Sequence, residues 1–177
     1  MEQVEEVEHA RPLPDELEDA LASVAPRLGS IGRAVVWYPE VSSTNDVAGS
    51  LAEEGTAEGL LVIADMQTSG RGRLGRTWAS PPGAGIYASV VFRPTLQAAR
   101  LLTLAAGVAV AEGIAKATGL ETELKWPNDV HCAGRKLAGI LAERGADHVV
   151  LGFGVNVLQA MYPAEVRSRA TSIELEL

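Results

Sequence analysis

The sequence predicts an α+β domain in which helices pack on a largely antiparallel sheet. Helical patterns precede a run of four strand-like segments that begins at residue 123, and short turns join those segments. Short turns connect antiparallel neighbours, so the four segments are expected to form successive hairpins. Helices followed by a run of hairpins indicate an α+β fold. A length of 177 residues, of which 47% are apolar, suits one compact domain with a single core.

The boundaries of the predicted elements follow from residues that begin or end helices. Pro26 ends the first helix, and acidic residues in its first turns suit the helix dipole. Ser43 or Thr44 is expected to cap the second helix, and Gly55 to end it. Gly119 ends the third helix, which is the longest. In chain order, the predicted elements are helix 14–25, strand 34–38, helix 44–54, strand 60–66, a Gly/Arg loop, strand 85–92, helix 95–118, and strands 123–126, 130–132, 136–143 and 148–156.

Three features bear on where the protein resides. Residues 1–12 are acidic and poor in apolar side chains, which predicts disorder and does not match a secretory signal. The apolar stretch 101–111 is too short to span a bilayer and is expected to be a buried core helix. Cys132 is the one cysteine, so an internal disulfide is excluded. The sequence therefore predicts a cytoplasmic protein with no membrane partner.

The segment over residues 70–78, called the Gly/Arg loop below, carries the clearest chemical signal. Its glycines allow unusual backbone conformations, and its arginines supply bidentate donors for phosphate or carboxylate groups. No Asp or Glu occurs between Asp65 and Glu112, although the chain has a net charge of -8. A basic segment in an acidic protein favours a small anionic ligand over nucleic acid. Because the loop has no apolar anchor before Trp78, it is expected to be mobile without ligand and to close over an anion.

Other interpretations of the loop fit less well. A dinucleotide-binding fingerprint needs a helix at the glycines and an acid about 20 residues later, whereas Pro81 and Pro82 follow here and no acid occurs before Glu112. A kinase glycine loop would need H-R-D and D-F-G segments downstream, which are absent from the sequence. The histidines are not spaced for a zinc site, and no G-x-S-x-G hydrolase motif occurs. A solvated surface loop is the remaining alternative.

Five motifs occur in a fixed order along the chain. They are S-S-T-N at 42–45, Q-T-S-G-R-G-R-L-G-R-T-W at 67–78, K-W-P-N-D at 125–129, R-K-L-A-G-I-L at 135–141 and G-F-G-V-N-V at 152–157. This set resembles the catalytic domain of the biotin protein ligases, which are also named biotin--(acetyl-CoA-carboxylase) ligases. The resemblance implies a fold related to class II aminoacyl-tRNA synthetases. It also implies ATP with Mg²⁺ as co-substrate, a biotinyl-5′-AMP intermediate, and transfer of biotin to a lysine of a biotin carboxyl carrier protein.

The resemblance assigns charge stabilisation to three residues. Activation of a carboxylate by ATP brings two anions together and forms a mixed anhydride with AMP. Lys125, Arg71 and Arg73 are expected to neutralise these oxygens, and closure of the loop would exclude water from the intermediate. For Lys125, the alternative is an exposed lysine at a strand end. Asp129 is expected to form the turn, with a role in holding Mg²⁺ or the lysine geometry as the alternative, and no firm metal site is predicted.

Binding of biotin is assigned to neutral polar groups. A ureido ring needs uncharged donors and acceptors inside an apolar slot. The resemblance places Ser43, Thr44, Asn45 and Gln67 there, while Gly139 would let a ligand approach the backbone closely. The rest of the biotin set is Arg71, Gly72, Arg73 and Lys125, and the adenylate and loop set is Gly70, Gly75, Arg76, Trp78, Asn128 and Asn156.

Two departures from the family pattern leave alternatives open. Many members carry an N-terminal winged helix-turn-helix and a small C-terminal β-barrel, whereas residues 13–177 are expected to form the catalytic domain without either. Binding of operator DNA is therefore not expected. The identity of the carrier and the oligomeric state stay open, with a homodimer among the alternatives. One rival function is a lipoate protein ligase, which the biotin-type G-R-G-R-x-G-R-x-W loop disfavours, and the other is a non-catalytic biotin- or adenylate-binding module.

Overall fold

The computed structural model describes residues 9–159, 166 and 168–177. They form a seven-stranded sheet with helices packed against it, which confirms the predicted α+β class. In chain order, the elements are α1 (Asp15–Val24), β1 (Val35–Val41), α2 (Thr44–Glu53), β2 (Leu61–Gln67), β3 (Gly85–Phe92), α3 (Leu96–Ala99), α4 (Leu102–Thr118), β4 (Glu123–Lys125), β5 (Asp129–Cys132), β6 (Arg135–Arg144), β7 (Val149–Asn156) and α5 (Ile173–Glu176).

The strand order of the sheet is β1-β2-β3-β7-β6-β5-β4. β1 and β2 are parallel, since α2 connects them, and the other neighbouring pairs are antiparallel. The hairpins β4–β5, β5–β6 and β6–β7 that the short turns predict are confirmed. β3 pairs with β7, which is far from it in sequence. The pairing runs from Gly85 opposite Asn156 to Phe92 opposite Val149. This pair joins the first three strands to the hairpins in one sheet.

The two faces of the sheet carry different helices, because neighbouring residues on a strand point to opposite faces. Val150 of β7 belongs to the apolar cluster that contains Ala48 of α2. The next residue, Leu151, belongs to the cluster that contains Ile114 of α4. α2 therefore packs on one face and α4 on the other. On the face of α2, Gly139 of β6 and Gly152 and Gly154 of β7 leave space above the sheet, and the candidate site lies there.

The predictions for the longest helix are wrong in two respects. The predicted helix 95–118 is divided into α3 and α4, which Arg100 and Leu101 separate. It was also expected to be buried, yet the exposed fractions of Leu101, Leu104 and Val108 are 59%, 49% and 39%. α4 lies on one side of a single sheet, so only its sheet-facing side is covered. Consecutive residues of a helix point to all sides of its axis. Some residues of a continuous apolar run therefore face away from the sheet and stay exposed.

The segment 1–12, which was predicted to be disordered, is described only in part, because residues 1–8 lie outside the described residues. At its other end, the backbone amide of Arg11 donates to the carbonyl oxygen of Trp37 at 2.9 Å, beside the outer edge of β1. Disorder of the segment stays a prediction. In the part of the chain that the structure describes, no helix is long and apolar enough to cross a membrane.

The opposite environments of two leucines give a test of this architecture. Leu137 of β6 is fully buried, whereas Leu104 of α4 is 49% exposed. Leu137→Ala is expected to lower the free energy of unfolding by about 2–5 kcal/mol through lost burial and a cavity. Leu104→Ala is expected to change it by less than about 1 kcal/mol. Urea unfolding of both variants measures the difference, and an equally large loss for Leu104→Ala would show that α4 is buried after all.

Candidate active site

A pocket lies where the N-terminus of α2 meets β6, β7 and the Gly/Arg loop. Its lining comes from four separate parts of the sequence and includes most of the residues predicted to bind biotin. The lining residues are Ser43, Thr44, Asn45, Gln67, Arg71, Gly72, Trp78, Lys136, Gly139, Ile140, Leu141, Gly152, Phe153 and Gly154.

One end of the pocket is built from neutral polar groups around the start of α2. Ser43 is the N-cap residue, as expected, but its side chain makes no capping hydrogen bond to the helix. Gln67 instead accepts from the backbone amide of Thr44 at 2.9 Å, and its own amide donates to Ser80 Oγ at 2.8 Å. Ser43, Thr44 and Asn45 are all buried. The pocket therefore has a fixed, uncharged polar end whose amide and hydroxyl groups can donate and accept.

A buried serine that the sequence analysis missed supports this end from below. Ser89 on β3 has an exposed fraction of 0%. Its hydroxyl donates to Asn45 Oδ1 at 2.6 Å and lies 2.8 Å from Thr44 Oγ1. The sequence signal for Ser89 was its position inside an otherwise apolar strand, because a buried hydroxyl group needs a hydrogen-bond partner. The partners are 44 and 45 residues away in sequence.

Three glycines form the floor of the pocket on β6 and β7. Gly139 lies opposite Gly154 in the ladder, and Gly152 is the next residue of β7 on the same face. A Cβ atom on Gly154 would lie 2.5 Å from Trp78 Cε2, and one on Gly152 would lie 2.1 Å from Asn45 Oδ1. Only glycine therefore leaves space for the indole ring and for the Asn45 side chain. Gly139 was predicted to allow a close approach, and the group that approaches it here is Trp78.

Backbone hydrogen bonds within the Gly/Arg loop hold its two ends together. The amide of Trp78 donates to the Gly70 carbonyl at 2.8 Å, and the amide of Gly72 donates to the Arg76 carbonyl at 2.7 Å. A single 3₁₀ turn over Arg73–Gly75 forms the tip. Gly75 has a φ of +71°, in the left-handed region that favours glycine. At the tip, the side chains of Arg73 and Arg76 are exposed and do not line the pocket.

Arg71 was expected to neutralise ligand oxygens, but the structure pairs it with protein carboxylates. Its two terminal nitrogens each donate to Asp46 at 2.6 Å, and Nη2 also lies 3.2 Å from Glu143 Oε2. These hydrogen bonds, chiefly those to Asp46, raise the pKa of Arg71 above its ordinary value. Both carboxylates were missed by the sequence analysis. Asp46 directly follows the S-S-T-N motif, and Glu143 lies two residues beyond R-K-L-A-G-I-L, so both were adjacent to recognised motifs.

The lysine on the pocket wall is Lys136, whereas the sequence analysis chose Lys125. Lys136 Nζ lies 5.2 Å from the ring centroid of Trp78 and 2.7 Å from Asp129 Oδ1. Lys125 is exposed on β4, one of the two edge strands of the sheet, and does not line the pocket. Both lysines belong to recognised motifs, so the signal for Lys136 was present in R-K-L-A-G-I-L. Of the roles considered for Asp129, the structure shows it holding a lysine.

Two residues that were predicted to contact the adenylate, Asn128 and Asn156, donate hydrogen bonds to backbone carbonyl groups of the protein. Asn128 donates its side-chain amide to the Ile140 carbonyl at 2.9 Å. Asn156 donates to the Thr171 carbonyl at 2.9 Å. Asn156 lies on β7 two residues beyond Gly154, so it shares the face of the glycine floor. Their contacts with a ligand stay predictions, as do those of Gly70, Gly75, Arg73 and Arg76.

Comparisons with known proteins give a consistent result. The model of the Biotin/lipoate A/B protein ligase family matches residues 37–156. The bifunctional ligase/repressor BirA of Bacillus subtilis is 42% identical over 152 residues, which cover 81% of this chain and 47% of the relative. The biotin--(acetyl-CoA-carboxylase) ligase of Mycobacterium tuberculosis is 45% identical over 152 residues, which cover 82% of this chain and 56% of the relative. The chain thus spans about half the length of these curated relatives.

Solved structures give the same result for the fold. The biotin protein ligase from Aquifex aeolicus in complex with biotin and ATP is 37% identical, with a TM-score of 0.69 over 81% of this chain and 61% of that chain. The Leishmania major enzyme in complex with biotinyl-5-AMP is 28% identical, with a TM-score of 0.72 over 80% of this chain and 64% of that chain. The fold therefore corresponds to the class that the sequence predicted.

The glycine floor yields a prediction about stability. Gly154→Ala would place a Cβ atom 2.5 Å from Trp78, whereas Gly113→Ala in α4 would meet no atom within 4 Å. Gly154→Ala is expected to lower the free energy of unfolding by about 1–3 kcal/mol, because the packed ring must move. Gly113→Ala is expected to raise it by about 0.5–1 kcal/mol, because glycine is a poor helix former. Thermal unfolding of both variants checks this pair, and a neutral Gly154→Ala would contradict the packing of Trp78 on the floor.

Proposed function

Because the chain belongs to the Biotin/lipoate A/B protein ligase family, we propose that it activates biotin with ATP and transfers it to a carrier lysine. The intermediate would be biotinyl-5′-AMP, and the acceptor a lysine of a biotin carboxyl carrier domain. The observation that carries the proposal is one pocket with a neutral polar end, a glycine floor and a lysine on its wall. Relatives of this fold have been solved with biotin and ATP and with biotinyl-5-AMP.

The polar end of the pocket suits a neutral ureido ring. Ser43, Thr44, Asn45 and Gln67 offer donors and acceptors without charge, and hydrogen bonds hold the last three in place. A ureido group presents one carbonyl acceptor and two N–H donors, so fixed groups of both kinds can match it. Preorganised groups lose little freedom when the ligand binds, which favours affinity.

The proposed activation step forms a phosphorus–oxygen bond. A carboxylate oxygen of biotin attacks the α-phosphorus of ATP, the bond between the α-phosphorus and the bridging oxygen breaks, and pyrophosphate leaves. Lys136 is the cation on the wall, and its ammonium group would stabilise negative charge on the phosphate oxygens. Asp129 holds this lysine on one side, which fixes its position at 2.7 Å from a carboxylate oxygen.

The proposed transfer step breaks the anhydride that the first step formed. The neutral amine of a carrier lysine attacks the acyl carbon, an amide bond forms, and AMP leaves with the bonding electron pair. The amine loses a proton in the process. Closure of the Gly/Arg loop would keep water from reaching the acyl carbon until the carrier lysine arrives.

Magnesium would enter this reaction with the nucleotide. Among the residues that the structure describes, no group of three or more His, Cys, Asp or Glu side chains is placed to hold a metal ion. Mg²⁺ at nucleotide sites is commonly held by one or two carboxylates together with the phosphates. Asp129 is already paired with Lys136 at 2.7 Å, so Mg²⁺ would be held chiefly by the phosphates of the nucleotide.

Several parts of the proposal extend beyond the pocket. We propose that residues 13–177 contain the catalytic domain, that the partner is a carrier domain and not nucleic acid or membrane, and that the protein acts in the cytoplasm. The acidic net charge of -8 supports the absence of a nucleic-acid partner. The family includes lipoate ligases as well as biotin ligases, so a lipoate ligase is the second candidate.

Intact-mass measurement of a purified biotin carboxyl carrier domain tests the function. After incubation with the protein, biotin and MgATP, the carrier is expected to gain one biotinyl group. Lipoate in place of biotin is expected to give no adduct, because its dithiolane lacks the donors and acceptors of a ureido ring. A lipoyl adduct alone would support the second candidate. Tight binding of biotin without any adduct would identify a binding module.

The two lysines can be distinguished by a paired substitution. Lys136→Ala is expected to slow pyrophosphate release by about 10²-fold to 10³-fold, because a preorganised charge at the reacting group is lost. Lys125→Ala is expected to slow it by less than about tenfold, since Lys125 is outside the pocket. Circular dichroism of both variants controls for folding. If Lys125→Ala slowed pyrophosphate release more than Lys136→Ala, Lys125 would be the stabilising cation, as the sequence predicts.

A further inference from the structure

Arg71 ties the Gly/Arg loop to the rest of the protein. The backbone hydrogen bonds of the loop connect its own residues, as between Trp78 and Gly70. Over the described residues, the side-chain hydrogen bonds that lead from positions 70–77 to another element all start at Arg71. Their acceptors are Asp46 in the first turn of α2 and Glu143 near the end of β6. These acceptors are 25 and 72 residues away in sequence.

The charges around Arg71 are already compensated by the protein. One guanidinium faces two carboxylates, so the group of three carries a net charge of about −1 when all are ionised. A phosphate or carboxylate of a ligand would compete with Asp46, which is held in a bidentate geometry at 2.6 Å. Arg71 is therefore better suited to holding the loop than to neutralising a ligand.

Glu143 also connects this ion pair to the floor of the pocket. The side-chain amide of Asn45 donates to Glu143 Oε2, and Ser89 donates to Asn45. Ser89 is fully buried. The loop is thus joined, through Arg71 and Glu143, to groups that cannot move without disturbing the core.

We propose that Asp46 and Glu143 are positioning residues that latch the Gly/Arg loop through Arg71 and so set how long the activated intermediate is retained. The intermediate is identified by the proposed function, on which this part of the inference rests. The latch itself rests on the contacts of Arg71. Most exposed ion pairs contribute little, but a bidentate arginine pair within a network is the geometry that contributes measurably.

Hydrogen exchange of the ligand-free protein tests the latch without any catalysis. Asp46→Asn and Glu143→Gln each remove one negative charge at the latch. Glu53→Gln is the matched control, because Glu53 is an exposed acid on the same helix as Asp46. Amides of residues 70–77 are expected to exchange about 3-fold to 10-fold faster in Asp46→Asn, with a smaller effect in Glu143→Gln. The control and the amides of α4 are expected to be unchanged. An unchanged rate in Asp46→Asn would overturn the latch.

Retention of the intermediate gives the second measurement. Biotinyl-5′-AMP is expected to dissociate about fivefold faster from Asp46→Asn than from the wild type, which corresponds to about 1 kcal/mol. If Asp46 acts through Arg71, adding Asp46→Asn to Arg71→Gln is expected to cause no further increase, while the free energy of unfolding stays unaltered. Additive effects would show that Asp46 acts by another route and would overturn the proposal.

The two possible failures can be told apart. If biotinyl-5′-AMP neither forms nor binds in the wild type, the proposed function fails, while hydrogen exchange still decides whether the latch exists. If the intermediate binds but its dissociation rate is the same in Asp46→Asn and Glu53→Gln, the proposed function stands and the latch has no role in retention.

Discussion

The site depends on the register between β6 and β7. Gly139 faces Gly154 across this ladder, and Gly152 follows on the same side. Because side chains alternate along a strand, a shift of β7 by one residue would turn Gly152 and Gly154 to the face of α4 and place larger side chains under Trp78. The glycine floor, the position of Trp78 and the space for Asn45 are therefore consequences of a single backbone pairing.

The two faces of the sheet have different roles: the face of α4 contains a core of large apolar residues, and the face of α2 carries the candidate site. The face of α4 is filled by large apolar residues, among them the fully buried Leu137. On the other face, α2 covers the first strands and its N-terminus lies at the pocket, while Gly139 of β6 and Gly152 and Gly154 of β7 leave space. A polar network that starts from buried Ser89 fixes the start of α2. The scaffold can thus be rigid where the pocket must be preorganised.

Charge in the pocket is arranged in compensated groups. Lys136 is paired with Asp129, and Arg71 is paired with Asp46 and Glu143. In a chain with a net charge of -8, such pairing keeps cations in fixed positions where they would otherwise be free to move. The exposed arginines of the loop tip, Arg73 and Arg76, are placed differently and stay available to an incoming anion.

The sequence by itself determined the local elements and the family. The hairpins after residue 123 follow from short turns and β-branched runs, and Ser43 and Gly55 mark the ends of α2, because these signals act within a few residues. The motifs likewise identified the polar end of the pocket. Tertiary structure decided which of two motif lysines reaches the pocket, and which acids hold Arg71. Those outcomes depend on contacts between residues far apart in sequence, and local pattern carries no information about the sheet order that brings them together. The same holds for the burial of α4. Its apolar composition is visible in the sequence, but which side of the helix is exposed depends on its packing against a single sheet.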